Sequence, residues 1–292
     1  MTIEIVDTDL VRFLNTEVEV LRLATGFQFV EGPLWDPVVK RLLFSDISAD
    51  MIFEFHPGTD PFVFLQPSHF ANGLAFDING ALLACEHETR RVVRIENRQS
   101  TVLADSYQGK RLNSPNDLLV LQDGSILFTD PTYGLREGLG GPADQELDFQ
   151  GVYRIVPGKR ELHLLVDDFE APNGVAISVN QQTLYINDTV RRHIRIFQVD
   201  ENWALSGGEV LLELLGSEEG KPDGMIIDQY GHIYCTGPGG IWIIHPEGAL
   251  MGRIHIPERV SNLTWGDEKL SSLYITAGGS LYAVRDLIRD QP

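Results

Sequence analysis

Cysteine is nearly missing from this sequence: Cys85 and Cys235 are the only two in 292 residues. That excludes a disulfide framework and a thiolate metal site. No apolar run approaches the ~18 residues that a membrane span requires. Bases are scarce as well, 23 Lys and Arg against 42 Asp and Glu, for a formal net charge of −19. Such a surface repels phosphate backbones and anionic lipid, so neither nucleic acid nor membrane is expected as a partner. The opening stretch MTIEIVDTDLVRFLN has acids where a secretory leader carries bases and then an unbroken apolar run. A soluble protein of the cytoplasm, monomer or homodimer, is expected.

What is present is a repeat. One short apolar pattern occurs as LLFSD (42–46), LLACE (82–86), ILFTD (126–130), LYIND (184–188), IYCTG (233–237) and LYITA (273–277), with starts 40, 44, 58, 49 and 40 residues apart. The segments are rich in β-branched and aromatic residues, and most follow Gly, Asp or Asn turns, which are strand signals. A second element precedes each: EGPLW (31–35), NGLAF (72–76), NDLLV (116–120), NGVAI (173–177), DGMII (223–227) and NLTWG (262–266). Its first residue lies 11, 10, 10, 11, 10 and 11 residues before the following strand. This regularity predicts one hairpin repeated around a ring. With two further strands per unit it predicts an all-β fold, a six-bladed β-propeller of four-stranded antiparallel blades, as one domain over 1–292. Residues 1–28 have no repeat partner, and VEVLRLA (17–23) is expected to supply the outer strand of the last blade. Cys85 and Cys235 fall in different blades and read as core residues.

The first residues of the pre-strand elements are Glu31, Asn72, Asn116, Asn173, Asp223 and Asn262, every one a carboxylate or carboxamide. Inner strands line a propeller's axis, so these six are expected to converge at one mouth of the central channel. Hard cations such as Ca²⁺ take six to eight oxygen donors. Asn-Gly and Asp-Gly are also ordinary turn formers, but Glu31 is not one, and it favours a ligand role. The second strands return to the same mouth, which predicts an outer polar rim of Asp46, Glu86, His87, Asp130, Asp188 and the Gly237–Gly240 loop. The extra residues of the 58-residue interval, about 134–150, should fall on that face as a lid or a plain surface excursion.

The phrases VEGPLW (30–35), FANGLAFD (70–77), CEHETRRV (85–92), GKRLNSPNDL (109–118), FTDPTYGL (128–135), APNGVAI (171–177) and PDGMIID (222–228) resemble the gluconolactonase and senescence marker protein (regucalcin) family, in particular its bacterial gluconolactonases. The resemblance runs through most of the chain and implies a six-bladed propeller. It also implies Glu31, Asn173 and Asp223 as metal ligands, Asp223 as the catalytic residue, and Asn116 as a substrate contact. Asn72 and His87 are added as substrate-side candidates. A second cation near Asp130–Tyr133 is a further implication. Animal regucalcins place an Arg two residues before the Asn that matches Asn116; here that position is Ser114, so their sugar contacts do not transfer whole.

The activity expected is Ca²⁺-type metal-dependent hydrolysis of a small sugar lactone such as gluconolactone, with Zn²⁺ or Mg²⁺ as other candidate ions and Asp223 as general base or nucleophile. No G-x-S-x-G elbow is present, which argues against a serine esterase. Two alternatives stand beside it: a phosphotriesterase resembling diisopropyl fluorophosphatase, and a non-catalytic calcium-binding propeller.

Overall fold

The computed structural model describes residues 3–159 and 161–289; residues 1, 2, 160 and 290–292 of the expected 1–292 domain lie outside the described residues. Six antiparallel sheets follow one another around an axis. Blade one comprises Val30–Asp36, Arg41–Asp46, Met51–Phe55 and Phe62–Leu65. Blade two comprises Ala71–Phe76, Leu82–Glu86, Arg91–Glu96 and Gln99–Ala104. Blade three is Leu118–Val120, Ile126–Asp130, Gln150–Ile155 and Leu162–Phe169, and blade four is Pro172–Ile177, Thr183–Asp188, His193–Val199 and Leu205–Glu213. Blade five holds Met225–Ile227, Ile233–Gly237, Gly240–Ile244 and Leu250–His255. The chain closes with Val260–Gly266, Ser272–Ala277 and Ser280–Val284, and Val20–Thr25 lies antiparallel to the last of these as the outer strand of blade six.

Blade five departs from the four-stranded expectation. Ile3–Ile5 pairs antiparallel with Leu250–His255, giving that sheet a fifth strand. The short helix that follows, Thr8–Arg12, seals the edge with Leu10, which is wholly buried, as is nearby Leu14. Chain from the N-terminus therefore extends blade five and completes blade six. The core is distributed as apolar layers between neighbouring blades, with Tyr153, Tyr234, Tyr274, Phe44 and Phe128 among its fully buried side chains. Cys85 and Cys235 are free and fully buried within it.

The glycines after the ring residues are not turn glycines. A Cβ on Gly32 would stand 2.1 Å from the Asn72 carbonyl oxygen, one on Gly73 2.5 Å from that of Asn116, and one on Gly174 2.3 Å from that of Asp223. Each inner strand thus presses its backbone against the next blade at a distance only Gly permits. The Gly73 and Gly174 amides use that approach to donate 2.9 and 3.0 Å hydrogen bonds to the same carbonyls. Strand register slips at this level in blades one, two, four and six. Such bulges re-aim side chains, and here they occur where Glu31, Asn72 and Asn173 face the axis.

Candidate functional site

Glu31, Asn72, His87, Asn116, Asn173 and Asp223 all line one cavity of about 380 Å³. These residues come from blades one to five, so the propeller brings together side chains up to 192 positions apart, from 31 to 223. The sixth ring residue takes a different place. Asn262 donates from Nδ2 to Glu31 Oε2 at 3.0 Å and lines a second chamber on the far side of the ring, together with Asp117.

The carboxamides form a directed chain. Asn72 Nδ2 donates to Asn116 Oδ1 at 2.6 Å, Asn116 Nδ2 to Asn173 Oδ1 at 2.7 Å, and Asn173 Nδ2 to Thr189 Oγ1 at 3.0 Å. Thr189 passes its proton on to the Pro222 carbonyl at 2.7 Å. Each amide is thereby held in one orientation, with one lone pair of each acceptor oxygen still available.

His87 sits beside this chain. Its Nδ1 lies 2.7 Å from the Leu139 carbonyl, which can only accept, so the proton is on Nδ1 and Nε2 carries a lone pair toward Asn72, 3.5 Å away. Burial pushes its pKa down to about 4 against the opposing hydrogen bonds, so the ring is neutral at ordinary pH. Leu139 belongs to the extra segment of blade three. That segment is anchored by a Ser48 hydroxyl bond to the Gly138 carbonyl at 3.0 Å and by Gly134 N donating to Ser114 Oγ at 2.9 Å. It supplies a fixed wall, with Tyr133, Arg136 and Leu139 facing the cavity.

Asp223 is held at three points of its backbone. Its amide donates to Thr236 Oγ1 at 2.7 Å, and its carbonyl accepts from Asn187 Nδ2 at 2.7 Å as well as from Gly174 N at 3.0 Å. Glu31 and Asp223 are both buried. Burial lifts Glu31 to about 7, against hydrogen bonds from Gly32 and Asn262. It lifts Asp223 well above the carboxylate range, and the negative charge of Glu31 adds to that rise. Arg259, 3.7 Å from Asp223 Oδ2 and partly exposed, opposes both shifts. Asp117 is raised to about 7 by burial and then by Glu31.

No group of three or more His, Cys, Asp and Glu side chains able to hold a metal occurs among the described residues. The donors around the cavity are instead two buried carboxylates and several carboxamide oxygens. An all-oxygen set of that kind suits a hard cation rather than a transition metal. Two like charges buried with one partial counter-ion also lack the charge that a divalent ion would supply. The residues present fit such an ion.

The expected outer rim of carboxylates does not form. Asp46 turns into its own blade junction and accepts from the Gln28 and Phe29 amides at 2.9 Å each. Asp188 does the same for Glu170, Val190 and Arg191, and Asp130 for Asn113 at 2.8 Å. Glu86 is taken by Thr89 and by Arg91 Nε, the latter at 2.6 Å. Buried backbone amides at the blade entries need acceptors, and these carboxylates provide them. Asp130 is buried in the blade with its Oδ2 on the Asn113 amide, whereas Tyr133 lines the main cavity.

Asn187 and Thr236 went unread in the sequence, although a signal exists. They occupy the fourth position of the strand repeat, where the six blades carry Ser45, Cys85, Thr129, Asn187, Thr236 and Thr276. All six are fully buried, and Ser45 and Thr276 likewise bond the carbonyls of ring residues, Asn72 and Asn262.

Residues 29–279 match the model of the SMP-30/Gluconolactonase/LRE-like region. A gluconolactonase of Zymomonas mobilis is 33% identical over 95% of this chain and 83% of its own. A pentonolactonase of Haloferax volcanii is 28% identical over 87% of this chain and 83% of its own. The solved structure of a gluconolactonase from Xanthomonas campestris superposes with a TM-score of 0.92 at 32% identity, covering 99% of this chain and 95% of that one. With its axial cavity ringed by Glu31, the Asn chain and Asp223, the protein belongs to the SMP-30/gluconolactonase/LRE-like family.

Proposed function

We propose that the protein is a gluconolactonase-type hydrolase that opens a small sugar lactone in the axial cavity with the help of one divalent cation, Ca²⁺ by the oxygen character of its donors. The observation that carries this reading is the burial of Glu31 and Asp223 against one cavity, with Arg259, 3.7 Å from Asp223 and partly exposed, as the counter-charge beside them. Family membership and the lactonase names of its relatives point the same way. The cavity, about 380 Å³, lies toward the small end of ligand sites, ~300–1,000 Å³, and suits a single sugar ring.

Glu31, Asn173 and Asp223 would hold the ion, with Asn116 beside them. When bound, it supplies Lewis-acid polarisation of the ester carbonyl and compensates the charge that develops on its oxygen. Asp223 takes a proton from the attacking water or attacks the carbonyl itself; its backbone anchors at Thr236, Asn187 and Gly174 keep it from retreating. Asn116 and Asn72 orient the ring hydroxyls, and neutral His87 accepts a hydroxyl proton at Nε2. Phe29, Ile47, Leu139 and Val190 shield the carbon face of the sugar from bulk water. Water adds across the ester C–O bond, the ring oxygen leaves with a proton, and the product is the open-chain acid.

Calorimetric titration with Ca²⁺ tests the ligand set. One ion per chain should bind the wild-type protein, and Glu31→Gln or Asp223→Asn should weaken binding by roughly a hundredfold, since each removes a charged ligand. Unchanged affinity in both variants would refute the site.

A further inference from the structure

Two basic side chains at the cavity have no acidic partner among the described residues. Arg136 and Lys221 both line it, and neither makes a salt bridge to a carboxylate among the described residues. This is unusual for a chain with 42 acids and 23 bases, in which most Arg side chains near the blades find a carboxylate, as Arg41, Arg91, Arg154 and Arg195 do. Arg259 differs from the pair because it stands 3.7 Å from Asp223 and offsets the buried carboxylates. Arg136 is held over the Tyr133 ring, its guanidinium carbon 5.7 Å from the centroid, on the anchored blade-three segment. Lys221 lies on the lead-in to blade five, two residues before Asp223, where its carbonyl accepts from Thr236 Oγ1 at 3.1 Å.

The charge balance of the cavity makes these two cations informative. Among the described residues, Glu31 and Asp223 are the acidic residues that line it, and Arg136, Lys221 and Arg259 the basic ones. A divalent ion on the carboxylates leaves the three basic side chains, exposed or half-buried at the cavity opening, without a carboxylate to offset them on a strongly acidic protein. A neutral polyol has no use for them, whereas a substrate anion would be attracted locally and paired by a guanidinium and an ammonium. We propose that the preferred substrate is a lactone bearing an anionic group, a carboxylate, phosphate or sulfonate, at the end remote from the ester, and that Arg136 and Lys221 bind that group. This rests on the lactonase reading above and narrows its substrate class. The chemistry is unchanged: water adds across the ester, and the remote anion takes no part in the reaction.

The test compares D-glucono-1,5-lactone, which is neutral, with D-glucaro-1,4-lactone and 6-phospho-D-glucono-1,5-lactone, using the Ca²⁺-loaded protein and its R136Q/K221Q variant. At least one anionic lactone should exceed the neutral one in kcat/KM by roughly tenfold or more, as expected for charge-assisted hydrogen bonds. That ratio should fall by a similar factor in R136Q/K221Q, and it should shrink in the wild type as salt is raised. The carboxylate and phosphate arms identify which anion fits. A wild-type ratio at or below one, or a ratio indifferent to both substitutions, overturns the proposal. Calorimetric binding of glucarate against gluconate gives a readout independent of turnover. Tighter glucarate binding that disappears in R136Q/K221Q supports the anion site even if no lactone is hydrolysed, in which case the lactonase reading alone has failed; equal binding of the two acids overturns the anion site.

Discussion

The Asn187 side chain donates a 2.7 Å hydrogen bond to the carbonyl of Asp223, joining the second strand of blade four to the lead-in of blade five. The proposed catalytic carboxylate therefore owes its position to a residue that never touches the cavity. In Asn187→Leu, the Asp223 carbonyl would keep only its bond from Gly174 N. We expect a loss of about 1–2 kcal/mol in stability by urea denaturation. We also expect a drop in kcat larger than the change in KM, because the shifted group acts in the reaction rather than in binding.

Asp46 is a structural carboxylate by its partners, the Gln28 and Phe29 amides. These amides lie at the junction between the outer strand of blade six and blade one. Asp46→Ala should cost about 2–3 kcal/mol, the range for leaving buried donors without a charged acceptor, and should leave Ca²⁺ affinity in calorimetry at the wild-type value. A large loss of affinity would instead place Asp46 in the ligand set.

The six-fold architecture was legible because the hairpin repeat has a nearly fixed spacing, and six equivalent oxygen-bearing positions could be aligned from it. Their separation into two chambers was not. Asn262 and Asn173 look alike as a residue before a hairpin strand, and only packing turns the first toward Glu31 and the second toward the cavity. The carboxylates ending the second strands misled for a related reason. Topology brings them to the correct face, but the unpaired amides at the blade entries claim them first. The fifth strand at Ile3–Ile5 carries no repeat signature, since pairing at a sheet edge needs only a short extended segment.

Stability should fall as pH rises without the ion and depend much less on pH with it. Glu31 and Asp117 are raised by burial from 4.5 and 3.8 to about 7, and burial raises Asp223 well above the ordinary carboxylate range. Between those limits the metal-free native state keeps protons that the unfolded chain releases, so stability falls as pH rises through this window. His87, lowered from 6.5 to about 4, works the other way: its contribution is complete above 6.5 and declines below it. Asp130 is raised to about 7 as well and His193 is lowered, both by burial, so four carboxylates against two imidazoles predict a chelator-treated protein that melts at lower temperature near pH ~8 than near pH ~5.5. Added Ca²⁺ should restore most of the loss near pH ~8 and little near pH ~5.5, because a protonated carboxylate is a poor ligand. Scanning calorimetry at the two pH values, with and without Ca²⁺, checks both signs.

The most direct test is pH-stat hydrolysis of glucono-1,5-lactone and its anionic analogues by protein stripped with chelator and then given Ca²⁺. The account predicts that the stripped protein does not exceed the spontaneous rate and that Ca²⁺ restores turnover. It also predicts that Asp223→Asn stays at least roughly a thousandfold below wild type at saturating Ca²⁺, the scale for loss of a catalytic base. Full activity in the stripped protein, or in Asp223→Asn, would contradict it.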